Sequence, residues 1–429
     1  MARGPDSGTG LRTSPLRVMI IAGESSGELY GAFLARELTR RNPGIRIAGV
    51  GGHRMAAAGV DLLAGVSSAL GAIEVINLYR KVRRTFRKVV SALKTFRPHI
   101  VIPIDYPDFN IRVATEARRL GIPVLYYVSP QVWAWRSRRV KQFGDVAARM
   151  AVVLPFEEEI YRKKDIPCSY VGHPIVDEIR EVVEGLGFGL GDIGHRELKH
   201  KVRKELSLGP ERRVLTVMPG SRRQEVERLL PTLAETIPEL IERYPGTQFV
   251  LPAAPNLAEA LFDDSSLRMS CHVLKGQSVQ ALLASDCAVI ASGTSTLQAA
   301  LLRVPMVVVY RLSPGTFALG KLLVRVKHIS LVNILKEKCL TQGPAPLVRE
   351  LLQDDVSKDQ IVSEIGRILD DDDYRGRMLR GFDAIAGLFL HKRASAEVAG
   401  LAEEICGVVP VGGGDRDDPG RAGSRRGTR

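Results

Sequence analysis

Short β-rich runs alternate with helical patterns twice along this chain, and between the two series glycine stands at 185, 187, 189, 191 and 194. The first series places strands at 17–22, 45–50, 99–104, 124–128 and 150–153, with an amphipathic helix through Leu29, Phe33, Leu34 and Leu38 after the first of them. The second places strands at 213–218, 247–251, 287–291 and 306–310. Strands in regular alternation with helices predict βαβ units and mostly parallel sheets, because a parallel pair needs a crossover that a helix supplies. The glycine-rich stretch reads as a flexible connection. The expected fold class is α/β, with two Rossmann-like, doubly wound parallel-sheet domains facing a cleft. Open sheets of that kind bind ligands outside the carboxyl ends of their strands. On this reading 16–183 is the N-terminal domain, 184–200 the linker and 201–385 the second domain. A C-terminal helix at 386–409 could return to the first domain, and 1–15 and 410–429 are disordered tails, poor in apolar residues.

Composition agrees with a folded, water-soluble chain. At 429 residues, 45% hydrophobic and 25% charged, it has the usage of two or three globular domains and not of a fibrous or disordered protein. The least polar long stretch, 287–310, carries Ser292, Thr294, Gln298, Arg303 and Pro305, so it does not read as a membrane span. The amino terminus has only a short apolar run at 18–22, without a signal-peptide pattern. Five scattered cysteines without a CxxC pair read as reduced thiols, and the eight histidines show no metal-ligand spacing, so no bound metal is expected. Among them His173, in Val171-Gly172-His173-Pro174, reads as part of a structural turn. The charge is more telling: 61 basic against 48 acidic residues leave +13, which favours a polyanionic partner.

Five segments at predicted strand ends could carry chemistry. Gly23, Glu24, Ser25, Ser26, Gly27 and Glu28 follow the first strand, where helix amides face an anion; equally, Ser25 and Glu28 make a capping box. Asp105, Asp108 and Asn110 in Asp-Tyr-Pro-Asp-Phe-Asn follow the strand 99–104, where a carboxylate can act as a base or simply cap a helix. Trp133 and Trp135 lie beside Arg136, an arrangement suited to a sugar face or acyl chain near a phosphate, or to core packing. Gly220, Ser221 and Arg222 end the first strand of the second series. Arginines at a helix start oppose the helix dipole, so an anion there is expected to compensate them. Ser292, Gly293, Thr294, Ser295 and Thr296 repeat the pattern, with Gln298 one turn later placed to reach ribose hydroxyls. The helix through 79–97 is basic and amphipathic, with Arg80, Lys81, Arg83, Arg84, Arg87 and Lys88 around Phe86; a basic segment at 321–327 repeats the theme. Such faces dock on anionic bilayers or are merely solvated. Aromatics at 6% and the absence of a recognition motif argue against nucleic acid.

Taken in order, these blocks resemble the lipid-A-disaccharide synthases, inverting glycosyltransferases with the two-domain GT-B fold. The matching stretches are GESSGE at 23–28, GVGGHRM at 49–55, GAIEV at 71–75, IDYPDFN at 104–110 and YVSPQVWAWR at 127–136. LPFE at 154–157, VGHP at 171–174, PGSRRQEVE at 219–227, ASGTSTLQAAL at 291–301 and PMVVVYRLSP at 305–314 complete them. The resemblance implies transfer from UDP-2,3-diacylglucosamine to 2,3-diacylglucosamine 1-phosphate (lipid X), giving a β(1′→6) disaccharide 1-phosphate and UDP on the way to lipid A. It implies Asp105 as general base and Arg222 as the group offsetting charge on departing UDP. The 220–222 and 292–298 turns would hold the donor. Gly23, Glu24, Ser25, Ser26, Glu74, Asp108, Asn110, Trp133 and Trp135 would face the acceptor side. UDP enters as substrate, with no cofactor. The expected place is the cytoplasmic face of the inner membrane, bound peripherally through the 79–97 helix, as monomer or homodimer. The chain departs from the family pattern at Glu28, where Asp is usual, at Gln298, where Glu is usual, and between 331 and 349. On residues alone, two other readings stay open: a GT-B UDP-sugar epimerase or transferase with a soluble acceptor, and a non-catalytic module for anionic lipid.

Overall fold

A computed structural model describes residues 15–65, 74–130, 139–262, 270–313, 327–340 and 346–408. Its strands are β1 (Arg17–Ala22), β2 (Arg46–Gly51), β3 (Asp61–Gly65), β4 (Ile100–Ile104), β5 (Leu125–Tyr127), β6 (Arg149–Val152) and β7 (Cys168–Tyr170). They continue with β8 (Val214–Met218), β9 (Gln248–Ala253), β10 (Cys271–Lys275), β11 (Cys287–Ala291), β12 (Met306–Tyr310) and β13 (Glu350–Leu352). The first seven run in the order β3-β2-β1-β4-β5-β6-β7 and the last six in the order β10-β9-β8-β11-β12-β13. Parallel registers such as Val18 opposite Ile100 and Val289 opposite Val217 place the most apolar strands in the middle of each sheet. Those strands are hydrophobic at nearly every position because helices cover both faces.

By Cα proximity the chain forms two compact units, one of residues 1–127, 146–148 and 395–429, the other of 128–145 and 149–394. In the first, helices α1 (Ser25–Arg41), α2 (His53–Ala57), α3 (Glu74–Thr95) and α4 (Pro107–Arg119) follow successive strands. Met19, Ile21, Val89, Leu93, Val101, Phe109 and Val113 form one apolar cluster there. The helix Ala394–Cys406 belongs to this unit. Its Glu403 accepts hydrogen bonds from Arg41 (3.1 Å) and from the Asn42 amide (2.7 Å) at the end of α1. Beside them Glu37 is buried. Burial alone would raise its carboxyl, but hydrogen bonds from Arg40 and Arg41 outweigh that and hold it at about 2.

The glycine-rich stretch lies inside the second unit, and the two units do not part there. The helix Ile175–Gly185 ends in it, a 3₁₀ turn at Leu190–Asp192 follows, and the helix Arg196–Glu205 begins soon after. The Gly189 N–H donates to the Asp192 carboxylate (2.7 Å), which closes the turn, and Gly187 (φ 81°) and Gly194 (φ 92°) on either side take left-handed conformations that favour glycine. The cysteines at 271, 287 and 406 are buried and those at 168 and 339 half-buried, all as free thiols. Burial pushes the Cys271 thiol up to about 12.

In the same unit His173 is buried against Phe389 (ring centroids 6.4 Å), and its Nδ1 accepts from the Ile175 N–H (3.2 Å). Burial lowers its pKa to about 3, so the folded protein holds a neutral imidazole. Protonation favours the unfolded chain: the contribution is intact above the ordinary histidine pKa and is lost as pH falls below it. By pH 5 that loss is about 2 kcal/mol. His173→Asn keeps an acceptor for Ile175 and removes the titration. Urea melts at pH 7 and pH 5 should therefore show the variant losing about 2 kcal/mol less stability than the parent across that interval.

Candidate active site

The turn after β4 is tightly constrained. Asp105 (φ 46°) and Tyr106 (φ 46°, ψ 62°) are consecutive left-handed residues without glycine's freedom. Four hydrogen bonds fix them. The Asp105 N–H donates to the Tyr127 carbonyl (3.1 Å), and the Asp105 carbonyl accepts from the Tyr126 hydroxyl (2.9 Å) and the Asn110 amide (2.7 Å). That amide also reaches the Ile104 carbonyl (3.1 Å). Asn110 is therefore fully buried and serves the turn; it is not an acceptor-facing residue as expected, because its amide is spent on strand-end carbonyls. Asp105 stays half-exposed, and Asp108 is exposed in the first turn of α4 behind Pro107.

Tyr106 explains the glycine of the neighbouring turn. Its ring lies where a side chain at Gly23 would stand, and it packs on Phe109 (centroids 5.6 Å). Burial first, then the Glu24 and Asp108 carboxylates, push its hydroxyl above the usual tyrosine range. Glu24 and Ser26 are exposed, while the Ser25 and Glu74 side chains lie outside the described residues. The capping box expected between Ser25 and Glu28 does not form. The N-cap of α1 is Glu24, and the Glu28 carboxylate accepts instead from the Arg54 N–H (2.9 Å) at the start of α2. Gly52 is a glycine because that carboxylate fills the space of a side chain there. The GESSGE and GVGGHRM turns are thus tied by one carboxylate. Next to them Ile21, Val50, Lys81, Val82, Tyr106 and Phe109 line a small, open, largely apolar groove.

On α3 the side chains of Arg80, Lys81, Arg83, Arg84, Arg87 and Lys88 are exposed. Phe86 departs from its expected place on the bilayer side: it packs edge-on against Phe109 (6.2 Å) at the core, since its position on the helix falls with Val82 and Val89. Trp133 and Trp135 fall outside the described residues, as does 321–326 of the second basic segment. Ser129, which opens the tryptophan block, is buried and donates to Glu157 (2.8 Å) of LPFE. Glu157 also accepts from the Leu154 N–H (3.1 Å).

In the second unit Gly220 has φ 122°, and the Glu225 carboxylate occupies the side where a side chain would project. Helix Arg223–Arg243 starts one residue later than a Ser221 cap requires. Arg222 is its N-cap, and Glu225 reaches back to the Ser221 and Arg222 N–H groups (3.4 Å each). Ser221 and Arg222 are exposed, with Glu225 pairing loosely to the guanidinium (3.4 Å). After β11, Gly293 caps the helix Thr294–Leu301; Gly293 and Thr294 are exposed and Ser295 half-exposed. Three of the expected donor contacts turn inward. The Thr296 hydroxyl donates to the Gly293 carbonyl (2.8 Å), Ser292 donates to the Ile329 carbonyl (2.8 Å), and Gln298, only 3% exposed, donates to Glu178 (3.1 Å). Gln298 is thus committed within the protein and not to a ribose. A carboxylate in its place would face Glu178 with like charge, which gives the amide at 298 a local reason.

Sequence reasoning missed the support beneath these turns. Asn333 is buried, donates to the Val348 carbonyl (2.9 Å) and Glu350 (2.8 Å), and accepts from the Leu347 N–H (2.8 Å). Glu350 in turn accepts from the Ile329 and Ser330 N–H groups (3.1 and 3.0 Å), so the residues flanking the divergent segment join its described Asn333, Leu347 and Val348 in one hydrogen-bonded network, and the Ile329 carbonyl there holds Ser292. The Ser330-x-x-Asn333 spacing, a helix start, was the available signal. The packing at Gly23 gives a direct test. Gly23→Ala puts a methyl into the Tyr106 ring, and urea melts should show a loss of about 1–3 kcal/mol, relieved when Tyr106→Ala is added.

A family model described as lipid-A-disaccharide synthetase matches residues 18–365. The lipid-A-disaccharide synthase of Geobacter sulfurreducens is 40% identical over 397 residues, covering 91% of this chain and 97% of that protein. The enzyme of that name from Coxiella burnetii is 34% identical over 394 residues, with 91% and 97% covered. Among solved structures, UDP-GlcNAc 2-epimerase from Neisseria meningitidis bound to UDP-GlcNAc superposes with a TM-score of 0.56 at 13% identity (88% of this chain, 100% of that one). The glycotransferase of kitacinnamycin does so with 0.54 at 17% (91% and 99%). At such identities these two speak for the fold alone, the α/β GT-B class with two parallel sheets. Matched through every turn described above, the chain belongs to the lipid-A-disaccharide synthase family of glycosyltransferases.

Proposed function

We propose that the protein joins UDP-2,3-diacylglucosamine and 2,3-diacylglucosamine 1-phosphate into the β(1′→6) disaccharide 1-phosphate, releasing UDP. The single observation that carries this reading is the family match over residues 18–365, a range that includes both the Asp105 and Arg222 turns. The acceptor 6-hydroxyl oxygen attacks the donor anomeric carbon from the face opposite the diphosphate. Its proton passes to the Asp105 carboxylate, the bond from the anomeric carbon to the diphosphate oxygen breaks, and UDP leaves with the electron pair, inverting the configuration. Arg222 and the N–H groups at the start of the helix Thr294–Leu301 offset charge on the leaving group, so no metal ion is required. The exposed cations of α3 suit an anionic membrane surface at the cytoplasmic face, where both acylated substrates would be met. Among the described residues no helix is long and apolar enough to cross a membrane, which agrees with attachment from one side.

Purified protein given both lipids should release UDP and form disaccharide in step, and EDTA should leave the rate unchanged. Asp105→Ala should lower turnover by about 10²–10⁴ with UDP binding kept. Arg222→Ala should weaken UDP binding and turnover together. Unchanged UDP affinity in that variant would remove residues 220–222 from the donor site, and turnover of a water-soluble UDP-sugar alone would favour an epimerase. Binding to phosphatidylglycerol vesicles should weaken as salt rises, and Arg83→Gln with Arg87→Gln should weaken it at low salt.

A further inference from the structure

At the amino ends of β8, β11 and β12, the opposite end of the second sheet from the turns just described, lies a cavity of about 1080 Å3 including its open mouth. Arg213, Asp286 and Pro305 stand immediately before those three strands and line it. Five residues of β8 separate Arg213 from the Pro219–Gly220 turn, about 16 Å at the rise of a strand. The two ends of the sheet therefore present distinct sites.

Its chemistry is one-sided. Lys199, Arg213, Arg303, Arg375 and His195 line it, against a single lining carboxylate, Asp286. That carboxylate is already saturated: Lys199 donates to one oxygen (3.0 Å), while Arg203 (2.7 Å) and the Val214 N–H (2.9 Å) donate to the other. Arg213 lies over the Tyr244 ring (4.9 Å) and so keeps its fork of donors for other partners. Arg303 pairs with Asp383 and Arg375 with Asp372, Arg375 also donating to the Leu369 carbonyl (3.4 Å); Arg375 is half-buried and the other three are exposed, which makes these bridges weak and readily exchanged. The remaining wall is mostly leucine, including Leu283 and Leu302, with Ser285 its polar member. Basic forks around a partly apolar cavity match a phosphoryl group carried on an organic body.

We propose that this cavity binds a small organic phosphate, held by Arg213, Arg303 and Arg375 at the amino end of the second sheet. The probe is 1-naphthyl phosphate, compared with inorganic phosphate, on the full chain. Phenylglyoxal modification read residue by residue by mass spectrometry should be slowed by the naphthyl compound at Arg213, Arg303 and Arg375, in the parent and equally in Arg222→Ala. Inorganic phosphate should need about tenfold higher concentration for the same protection, since it lacks the apolar body. The double variant Arg213→Gln, Arg375→Gln should bind the naphthyl compound about tenfold or more weakly in calorimetry, with its melting curve confirming a folded chain. Protection confined to Arg222 and Arg223, no protection at all, or unchanged affinity in the folded double variant would overturn the proposal. Equal potency of the two probes would overturn its organic part.

Discussion

Two consecutive left-handed residues at the end of β4, neither of them glycine, are the constraint on which the first unit's candidate site rests. Such conformations cost on the order of 1–3 kcal/mol each and persist only where the surroundings over-determine them. Here the surroundings are specific: Tyr126, Tyr127 and the buried Asn110 hold Asp105 by its own backbone, and Tyr106 is laid flat against the glycine of the adjacent turn. The aspartate is thereby fixed through its main chain while its side chain stays half-exposed, an arrangement suited to a group that must meet a substrate.

The fold was legible where strands are buried on both faces. The ranges read for β1, β11 and β12 agree with the observed ones to the residue. The strands that escaped notice are β3, β7, β10 and β13. β3 and β10 are edge strands with mostly exposed residues, β7 is three half-buried residues, and β13 is three residues long. Their hydrophobic signal is too short or too diluted to separate from loop, and pairing with the strand that precedes each of them is what makes them strands.

The site was legible at the level of turns and much less at the level of side chains. Glycine, hydroxyl and carboxylate at a strand end mark a ligand-facing turn, and that signal is local. Which polar side chain faces outward is decided by partners distant in sequence: Ile329 takes Ser292, Glu178 takes Gln298, and Glu157 takes Ser129. Phe86 was misplaced for a related reason. A helix that is cationic on most of its surface still needs an apolar stripe against its sheet, and a phenylalanine in that stripe belongs to the core.

The Glu28 carboxylate, which links the turn after β1 to the start of α2, also limits how this chain can be recombined with its relatives. Its reach of two methylenes and the bare backbone at Gly52 form one fitted pair. An aspartate grafted at 28 would fall short of the Arg54 amide unless the second turn moved with it. Chimaeras built from this chain and an aspartate-bearing homologue should therefore exchange 23–28 and 49–55 as one cassette, although most of α1 and the first half of β2 lie between them.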